Sequence, residues 1–122
     1  CRPSAPIGYL QIHGTKDGSV PFDKAGASGT INANVAYPGA AGTVAIWAEK
    51  NGCGAALTPT GANLRVNADT KAGTDTAPLR HDGCRDNGAA ELWPVTDAGH
   101  IFTFTDDAVN AIWQFMDAHS KR

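Results

Sequence analysis

The sequence predicts an α/β fold in which parallel strands are joined by crossover helices. Two short apolar runs, at 7–13 and 89–95, are each followed at once by a turn of small and polar residues. Runs of this length are too short for stable helices and are typical of strands. A helical pattern follows each turn, and this alternation of strand and helix is typical of a parallel sheet.

The first strand is expected at about Ile7 to His13, and it is followed directly by a turn that carries Asp17. The run has little alternation of apolar and polar residues, so we expect it to be buried on both faces, as in a parallel sheet covered by helices. In open α/β sheets, catalytic groups lie just beyond the carboxyl ends of strands. Residues 23–34 are rich in Gly, Ala, Ser and Asn without any period, and we expect a loop there.

A short amphipathic helix is expected over about 41–51. Val44, Trp47 and Ala48 fall at i, i+3 and i+4, Thr43 can cap the start, and Gly52 stops the helix. We expect Trp47 to pack this helix onto the sheet.

The stretch 53–74 is low in charge and holds at most a weak strand at 63–67. Residues 76–82 are a further strand candidate. Pro78 interrupts it, and proline cannot donate to a sheet ladder, so we expect an edge strand rather than a central one.

The last third contains the clearest elements. The strand at 89–95 leads into a turn that ends at His100, and a helix then starts after Thr105, a good N-cap with two acidic residues behind it. Its apolar stripe consists of Val109, Ile112, Trp113 and Met116, joined by Phe115, and Lys121 and Arg122 close its C-terminal end.

The predicted sheet is incomplete. At 122 residues the chain forms one domain at most. Two central parallel strands would leave unpaired backbone groups on both sides. We therefore expect residues 1–122 to be the C-terminal part of a single domain whose N-terminal half lies outside this sequence.

Composition excludes several classes of function. The net charge is −2 and the basic residues are scattered, which argues against a nucleic-acid or anionic-membrane surface. No apolar stretch approaches the roughly 20 residues that a membrane-spanning helix needs. No Cys or His spacing suggests a zinc site, so we expect neither a metal nor a cofactor.

Three cysteines are present, Cys1, Cys53 and Cys84. A Cys53–Cys84 disulfide would close a loop and would suit an oxidising compartment, hence a secreted or periplasmic protein. The alternative is two buried free thiols. Cys1 is left over, and its partner is expected upstream of this sequence unless it is a free or modified terminus.

Asp17 and His100 are the candidate catalytic residues. An acid after one strand and a histidine after a later one match the last two members of a Ser, Asp, His order. The carboxylate fixes the imidazole tautomer and stabilises the imidazolium that forms during catalysis. Histidine suits the base because its unperturbed pKa is about 6.5.

Several motifs resemble those of one enzyme family. The segment His-Gly-Thr-Lys-Asp-Gly-Ser-Val-Pro-Phe at 13–22 resembles the His-Gly-Thr-x-Asp-x-x-Val-Pro-Tyr segment of the secreted polyhydroxybutyrate depolymerase and feruloyl esterase family of α/β-hydrolases. The Asn-Gly-Cys at 51–53, the Gly-Cys at 83–84, the Ala-Gly-His at 98–100 and the closing helix are similar to that family in the same order.

The resemblance implies an α/β-hydrolase fold, with Asp17 as the acid, His100 as the base and a bridge between Cys53 and Cys84. Family members commonly have Trp-Pro just after the histidine, whereas here Ile101 follows. Phe102 and Phe104 follow closely in the sequence, and they are either candidate substrate-pocket residues or part of the hydrophobic core.

We expect the nucleophile to lie outside this sequence. The serines are at 4, 19, 28 and 120, and none lies in a Gly-x-Ser-x-Gly elbow. In the family that elbow precedes the acid, in the N-terminal half that we expect upstream of this sequence. Cys1 would then be the remainder of a disulfide to that half.

The function predicted from the sequence is serine-type carboxylic ester hydrolysis by the intact protein. The family implies esters of plant cell walls or polyhydroxyalkanoates, and this chain alone should be inactive. One alternative is a self-contained non-catalytic binding module. Another is a fragment of a serine peptidase of the prolyl-oligopeptidase type.

Overall fold

The structure is a computed structural model that describes residues 3–23 and 37–120. It is a mixed α/β fold, which confirms the predicted class. In chain order the elements are β1 (Gly8–Gly14), α1 (Gly39–Asn51), β2 (Leu57–Pro59), β3 (Leu79–His81), β4 (Ala89–Val95) and α2 (Asp106–Ala118). The expected loop at 23–34 falls almost entirely outside the described residues, as do Cys1, Lys121 and Arg122.

The four strands form one mixed sheet in the order β1-β4-β3-β2. β1 and β4 are parallel and pair over their full length, from Gly8 opposite Ala89 to Gly14 opposite Val95. The predicted parallel pairing of these two strands is therefore confirmed, but β1 lies at an edge of the described sheet rather than at its centre. β3 runs antiparallel to β4, and β2 runs antiparallel to β3.

The expectation that the segment at 76–82 forms an edge strand is wrong. β3 pairs on both sides, and the edge is taken by β2, a strand that the sequence did not reveal. Pro78 does not interfere because β3 begins only after it, at Leu79. The weak strand expected at 63–67 is also absent, since only isolated bridges form there, at Leu64 and Asn67.

α1 covers one face of the sheet. Val44 and Ala48 are buried against Ala90 and Leu92 of β4. The ring of Trp47 stacks on Tyr9 of β1, with centroids 5.1 Å apart, which confirms that Trp47 packs this helix onto the sheet.

The start of α1 differs from the expectation. The helix begins at Gly39, and Thr43 lies one turn inside it, where its hydroxyl donates to the Gly39 carbonyl. Thr43 is thus no cap, because the chain already turns into the helix at Pro38, which provides no side-chain cap.

Hydrogen bonds from the end of α1 link the two parallel strands, β1 and β4. The buried side chain of Asn51 accepts from the Ile7 amide and donates to the carbonyls of Ile7 and Ala89. Gly52 follows with φ of 66°, and a Cβ there would collide with the side chain of Arg85. Because Asn51 contacts both parallel strands just before they begin, it fixes their relative position.

α2 covers the other face and starts as expected. Thr105 caps it by accepting from the Ala108 amide. Helix and sheet meet in a second core cluster that includes Ala108, Ala111 and Ile112 with Trp93 and Val95.

Three of the five residues in the expected apolar stripe of α2 are exposed. Val109, Trp113 and Met116 are 41%, 64% and 53% exposed, respectively. Neither α1 nor α2 has the length and apolar character that a membrane-spanning helix needs among the described residues.

β1 is also less buried than expected. Its first five residues are only half-buried, and the strand is deeply buried only at His13 and Gly14. The reason is its place in the sheet, because no strand of residues 3–23 or 37–120 pairs with its outer edge.

Candidate active site

Asp17 and His100 lie together beyond the carboxyl ends of the two parallel strands. Asp17 follows β1 by three residues and His100 follows β4 by five. The Nδ1 atom of His100 is 2.9 Å from Oδ2 of Asp17. Two residues that are 83 positions apart in sequence are thus brought into a hydrogen-bonded pair.

The two turns that carry the pair are joined by their own hydrogen bonds. The amide of Thr15 donates to the Val95 carbonyl, and the Asp97 amide donates to the Thr15 hydroxyl, both at 2.9 Å. Lys16 bonds the Ala98 carbonyl through its amide, and its ammonium group lies 2.7 Å from Oδ1 of Asp97. These contacts hold the acid turn against the histidine turn independently of Asp17.

Gly14 permits this close approach. A Cβ at this position would overlap the carbonyl oxygens of Ala98 and Gly99. The histidine turn therefore runs directly over the end of β1, and only glycine fits there.

Three hydrogen-bond donors hold Asp17, and Nε2 of His13 lies close beside them. The amides of Ser19 and Val20 donate to Oδ1, both at 2.8 Å. Oδ2 lies 2.9 Å from Nδ1 of His100 and 3.2 Å from Nε2 of His13. Burial acts to raise the pKa of Asp17, but the hydrogen bonds from His100, Val20 and Ser19 outweigh it and lower this pKa below its ordinary value.

His100 has the arrangement that a general base requires. Since the carboxylate of Asp17 can only accept, Nδ1 of His100 carries the hydrogen, and in the neutral ring Nε2 carries a lone pair. The side chain is 50% exposed, and Nε2 bonds to no atom of the described chain. The imidazole can therefore take a proton from a group that approaches from the cleft.

A loop centred on Asp75 holds the segment that bears His100. The buried carboxylate of Asp75 accepts from the amides of Val66 and Asn67 and from two threonine hydroxyls. Burial raises its pKa, but these four hydrogen bonds outweigh burial and lower the pKa. The Asp75 carbonyl accepts from Thr96, just before the histidine turn.

The same loop also fastens the chain after His100. The amide of Ala68 donates to the Thr103 carbonyl, and the Thr105 amide donates to the Val66 carbonyl. The segment between Thr96 and Thr105 is thus anchored at both ends, so that His100 sits on a supported turn rather than on a free loop.

A small open cleft of about 220 Å³ lies at the pair. Phe102 lines it, whereas Phe104 does not and instead packs edge-on against Phe102, with ring centroids 5.2 Å apart. No lining residue carries an aliphatic hydroxyl or a thiol; the lining consists of Ile12, His13, Gly14, Asp17, Val20, His100 and Phe102.

The remaining candidates lie elsewhere. Cys53 and Cys84 form the expected disulfide, which joins the residue after the end of α1 to the turn after β3. No cluster of three or more potential metal ligands occurs in the described ranges. A larger cavity, about 620 Å³, lies at the opposite end of the sheet, beside Pro6 and His119.

Sequence reasoning missed two supporting groups. One is the ion pair between Lys16 and Asp97. The other is the pair of polar side chains Tyr9 and Gln11, which alternate along β1 with His13 and therefore share one face with it. That alternation, ending next to Asp17, was the signal available in the sequence.

Comparison with known proteins adds no relative to this description. No family model, no curated protein and no solved structure gives a significant match to the chain.

Proposed function

We propose that this chain supplies the acid and the base of a serine-type carboxylic ester hydrolase with an α/β-hydrolase fold. The observation that carries the proposal is the 2.9 Å hydrogen bond between Asp17 and His100, formed beyond the carboxyl ends of adjacent parallel strands. Two such turns at neighbouring strand ends are where catalytic groups of open α/β sheets lie.

The chemistry follows from the tautomer of His100. Nε2 takes the proton of a serine hydroxyl as its oxygen attacks the ester carbonyl. Asp17 stabilises the imidazolium, which returns the proton to the leaving alcohol. Water then attacks the acyl-enzyme with the same histidine as base. The lowered pKa of Asp17 keeps its carboxylate ionised throughout this cycle near neutral pH.

The nucleophile must come from outside this chain. Ser4, Ser19 and Ser120 do not line the cleft, and Ser28 lies outside the described residues without a preceding strand in the sequence. We propose that the serine and the oxyanion-hole donors belong to an N-terminal half of the same protein.

Two surfaces support a packed neighbour of this kind. Within the described ranges the outer edge of β1 has no partner strand, and it adjoins the turn that carries Asp17. On α2, Val109, Trp113 and Met116 expose a contiguous helical face. An open edge and an apolar patch are features that soluble proteins normally cover.

The proposed substrates are hydroxycinnamoyl esters of plant cell-wall sugars or short polyhydroxyalkanoate esters, as the family resemblance implies. The Cys53–Cys84 disulfide supports a secreted or periplasmic location, because disulfides persist in oxidising compartments.

The test is ester turnover by the full-length protein that contains these residues. Methyl ferulate and a 3-hydroxybutyrate oligomer serve as substrates, and His100→Ala should lower kcat at least about 10⁴-fold. His119→Ala, a histidine at the opposite end of the sheet, is the matched control and should stay within about twofold of the parent. Equal activity of both variants would contradict the proposal.

A further inference from the structure

A hydrogen-bonded chain of side chains runs along one face of β1 toward the candidate acid. The phenol of Tyr9 donates to Oε1 of Gln11 at 3.0 Å. Nε2 of Gln11 is 3.1 Å from Nδ1 of His13. Nε2 of His13 lies 2.9 Å from the Val20 carbonyl and 3.2 Å from Oδ2 of Asp17.

The chemistry of these groups fixes the direction of every bond. The carbonyl of Val20 can only accept, so Nε2 of His13 must carry a hydrogen. In the neutral ring Nδ1 is then an acceptor, and the amide nitrogen of Gln11 supplies its donor. The amide oxygen of Gln11 consequently faces the Tyr9 hydroxyl and accepts from it.

The surroundings keep this chain in place. Tyr9 is stacked on Trp47 of α1. Burial and the nearby Tyr37 raise the pKa of the Tyr9 phenol, so that its hydroxyl remains a hydrogen-bond donor. His13 is only 8% exposed, and Phe22 meets its ring edge-on at 5.6 Å. An imidazole that is buried and confined in this way cannot easily rotate by 180° to exchange the places of its two nitrogens.

Reversal of the His13 tautomer would be costly for Asp17. Nε2 would then present a lone pair to the Val20 carbonyl and to Oδ2 of Asp17, so that three acceptors would face one another. The Gln11 amide, as it is oriented here, adds to this preference because its NH₂ group would meet a second donor if Nδ1 carried the hydrogen; only a 180° rotation of the amide, with the Tyr9 hydroxyl turned to accept, would relieve that contact.

We propose that Tyr9, Gln11 and His13 form a positioning chain that orients Asp17, and through it His100, for catalysis. The inference rests on the proposed function for its catalytic meaning, but the hydrogen-bond directions can be tested without any activity. The three residues touch no reacting atom. Their role is to hold the Nε2–H group of His13 on the carbonyl of Val20, whose amide in turn donates to Asp17, with Nε2 of His13 3.2 Å from Oδ2 of Asp17.

The first test is the tautomer of each histidine, measured from ring ¹⁵N shifts of the 122-residue chain at about pH 8, where an unperturbed histidine is neutral. His13 should carry its hydrogen on Nε2. His81, His100 and His119 should carry it on Nδ1, because those nitrogens face the Gly54 carbonyl, Asp17 and the Asn87 carbonyl. A hydrogen on Nδ1 of His13 would overturn the inference, and this measurement needs no variant.

The second test is Gln11→Leu, which removes the donor at similar volume. The His13 ring shifts should move toward a mixture of tautomers and the His100 signals should broaden. His81, buried and remote from the pair, is the internal control and should not change. Tyr9→Phe removes a single hydroxyl and should move the His13 signals less, in the same direction. Unchanged His13 and His100 signals in both variants would overturn the inference.

Measurements of ester turnover distinguish this inference from the proposed function. In the full-length protein Gln11→Leu should lower kcat about fivefold to tenfold with little change in KM, as expected for one lost buried hydrogen bond at a catalytic group. If His100→Ala abolishes turnover while Gln11→Leu leaves kcat unchanged, the positioning chain is wrong and the proposed function stands. If His100→Ala leaves turnover intact, the proposed function fails.

Discussion

Replacement of Asp17 by asparagine tests the hydrogen-bond network around the candidate acid. The carboxylate accepts from two backbone amides on Oδ1 and from the His100 imidazole on Oδ2, and Nε2 of His13 lies 3.2 Å from Oδ2. In the Asp17→Asn variant one of these oxygens is replaced by an NH₂ group, which can only donate. With the NH₂ group at the Oδ1 position both backbone hydrogen bonds are lost; with the NH₂ group at the Oδ2 position the hydrogen bond from Nδ1–H of His100 is lost, so that at least one of the three hydrogen bonds disappears in either orientation.

The expected loss of stability follows from that count. A hydrogen bond to a charged group contributes about 1.5–3 kcal/mol, and the lower end applies because the cleft is open to solvent. The loss of at least one such bond gives a cost of at least about 1.5 kcal/mol at pH 7. Urea unfolding of the 122-residue chain, followed by tryptophan fluorescence, measures this difference directly.

The effect should depend on pH with a definite sign. The pKa of Asp17 is lowered in the folded chain, so its carboxylate stabilises the fold above the unfolded value of about 3.9. This contribution is lost as the pH falls through the lower, folded pKa. The difference between the parent and Asp17→Asn should therefore narrow as the pH is lowered below about 4.

Asp97→Asn is the matched control. Asp97 is 69% exposed and pairs with an equally exposed Lys16, so its loss should cost at most about 0.5 kcal/mol. A cost at Asp17 no larger than that at Asp97, or one that does not change with pH, would refute the reasoning.

Three further predictions concern the supports of the site. Gly14→Ala should separate the acid and histidine turns, because its methyl group would overlap two carbonyl oxygens, and ester turnover by the full-length protein should fall about 10²-fold. Asp75→Ala should destabilise the chain by at least about 3 kcal/mol in urea unfolding, because it leaves four donors without their acceptor; a loss below about 1 kcal/mol would contradict the role given to this loop. Reduction of Cys53–Cys84 should cost about 3.5–4 kcal/mol on the chain-entropy estimate for 31 residues, and an unchanged urea midpoint after reduction would contradict it.

The parts of the fold that local pattern determines were predictable. The run at 89–95 is a strand with the predicted bounds, and Thr105 caps α2 as expected, because a strand of apolar residues and an N-cap with two acids behind it are local signals. The disulfide was also predictable, although the residues alone left free thiols open.

The rest depended on contacts that no short window contains. β2 has three residues without a distinctive pattern and exists only because β3 pairs with it. Thr43 has the residue type of a cap, but the helix starts four residues earlier, where Ala40 can be buried beneath it. Trp113 has the residue type of a core position, yet within the described chain it is exposed, because it lies on the face of α2 that points away from the core cluster around Trp93 and Val95.

The candidate site shows the same division. The types and order of Asp17 and His100 indicated the pair, but the roles of Gln11 and of the loop around Asp75 could not be inferred. Both depend on hydrogen bonds to groups whose positions only the folded chain defines.

The most direct test of the central claim is covalent labelling of the full-length protein with a fluorophosphonate, followed by peptide mass spectrometry. The adduct should form on a serine outside residues 1–122, and the labelling rate should fall at least about 10³-fold in His100→Ala. The isolated 122-residue chain should remain unlabelled. A labelled serine within residues 1–122, or labelling that His100→Ala leaves unchanged, would contradict the assignment of Asp17 and His100 as the acid and base of a serine hydrolase.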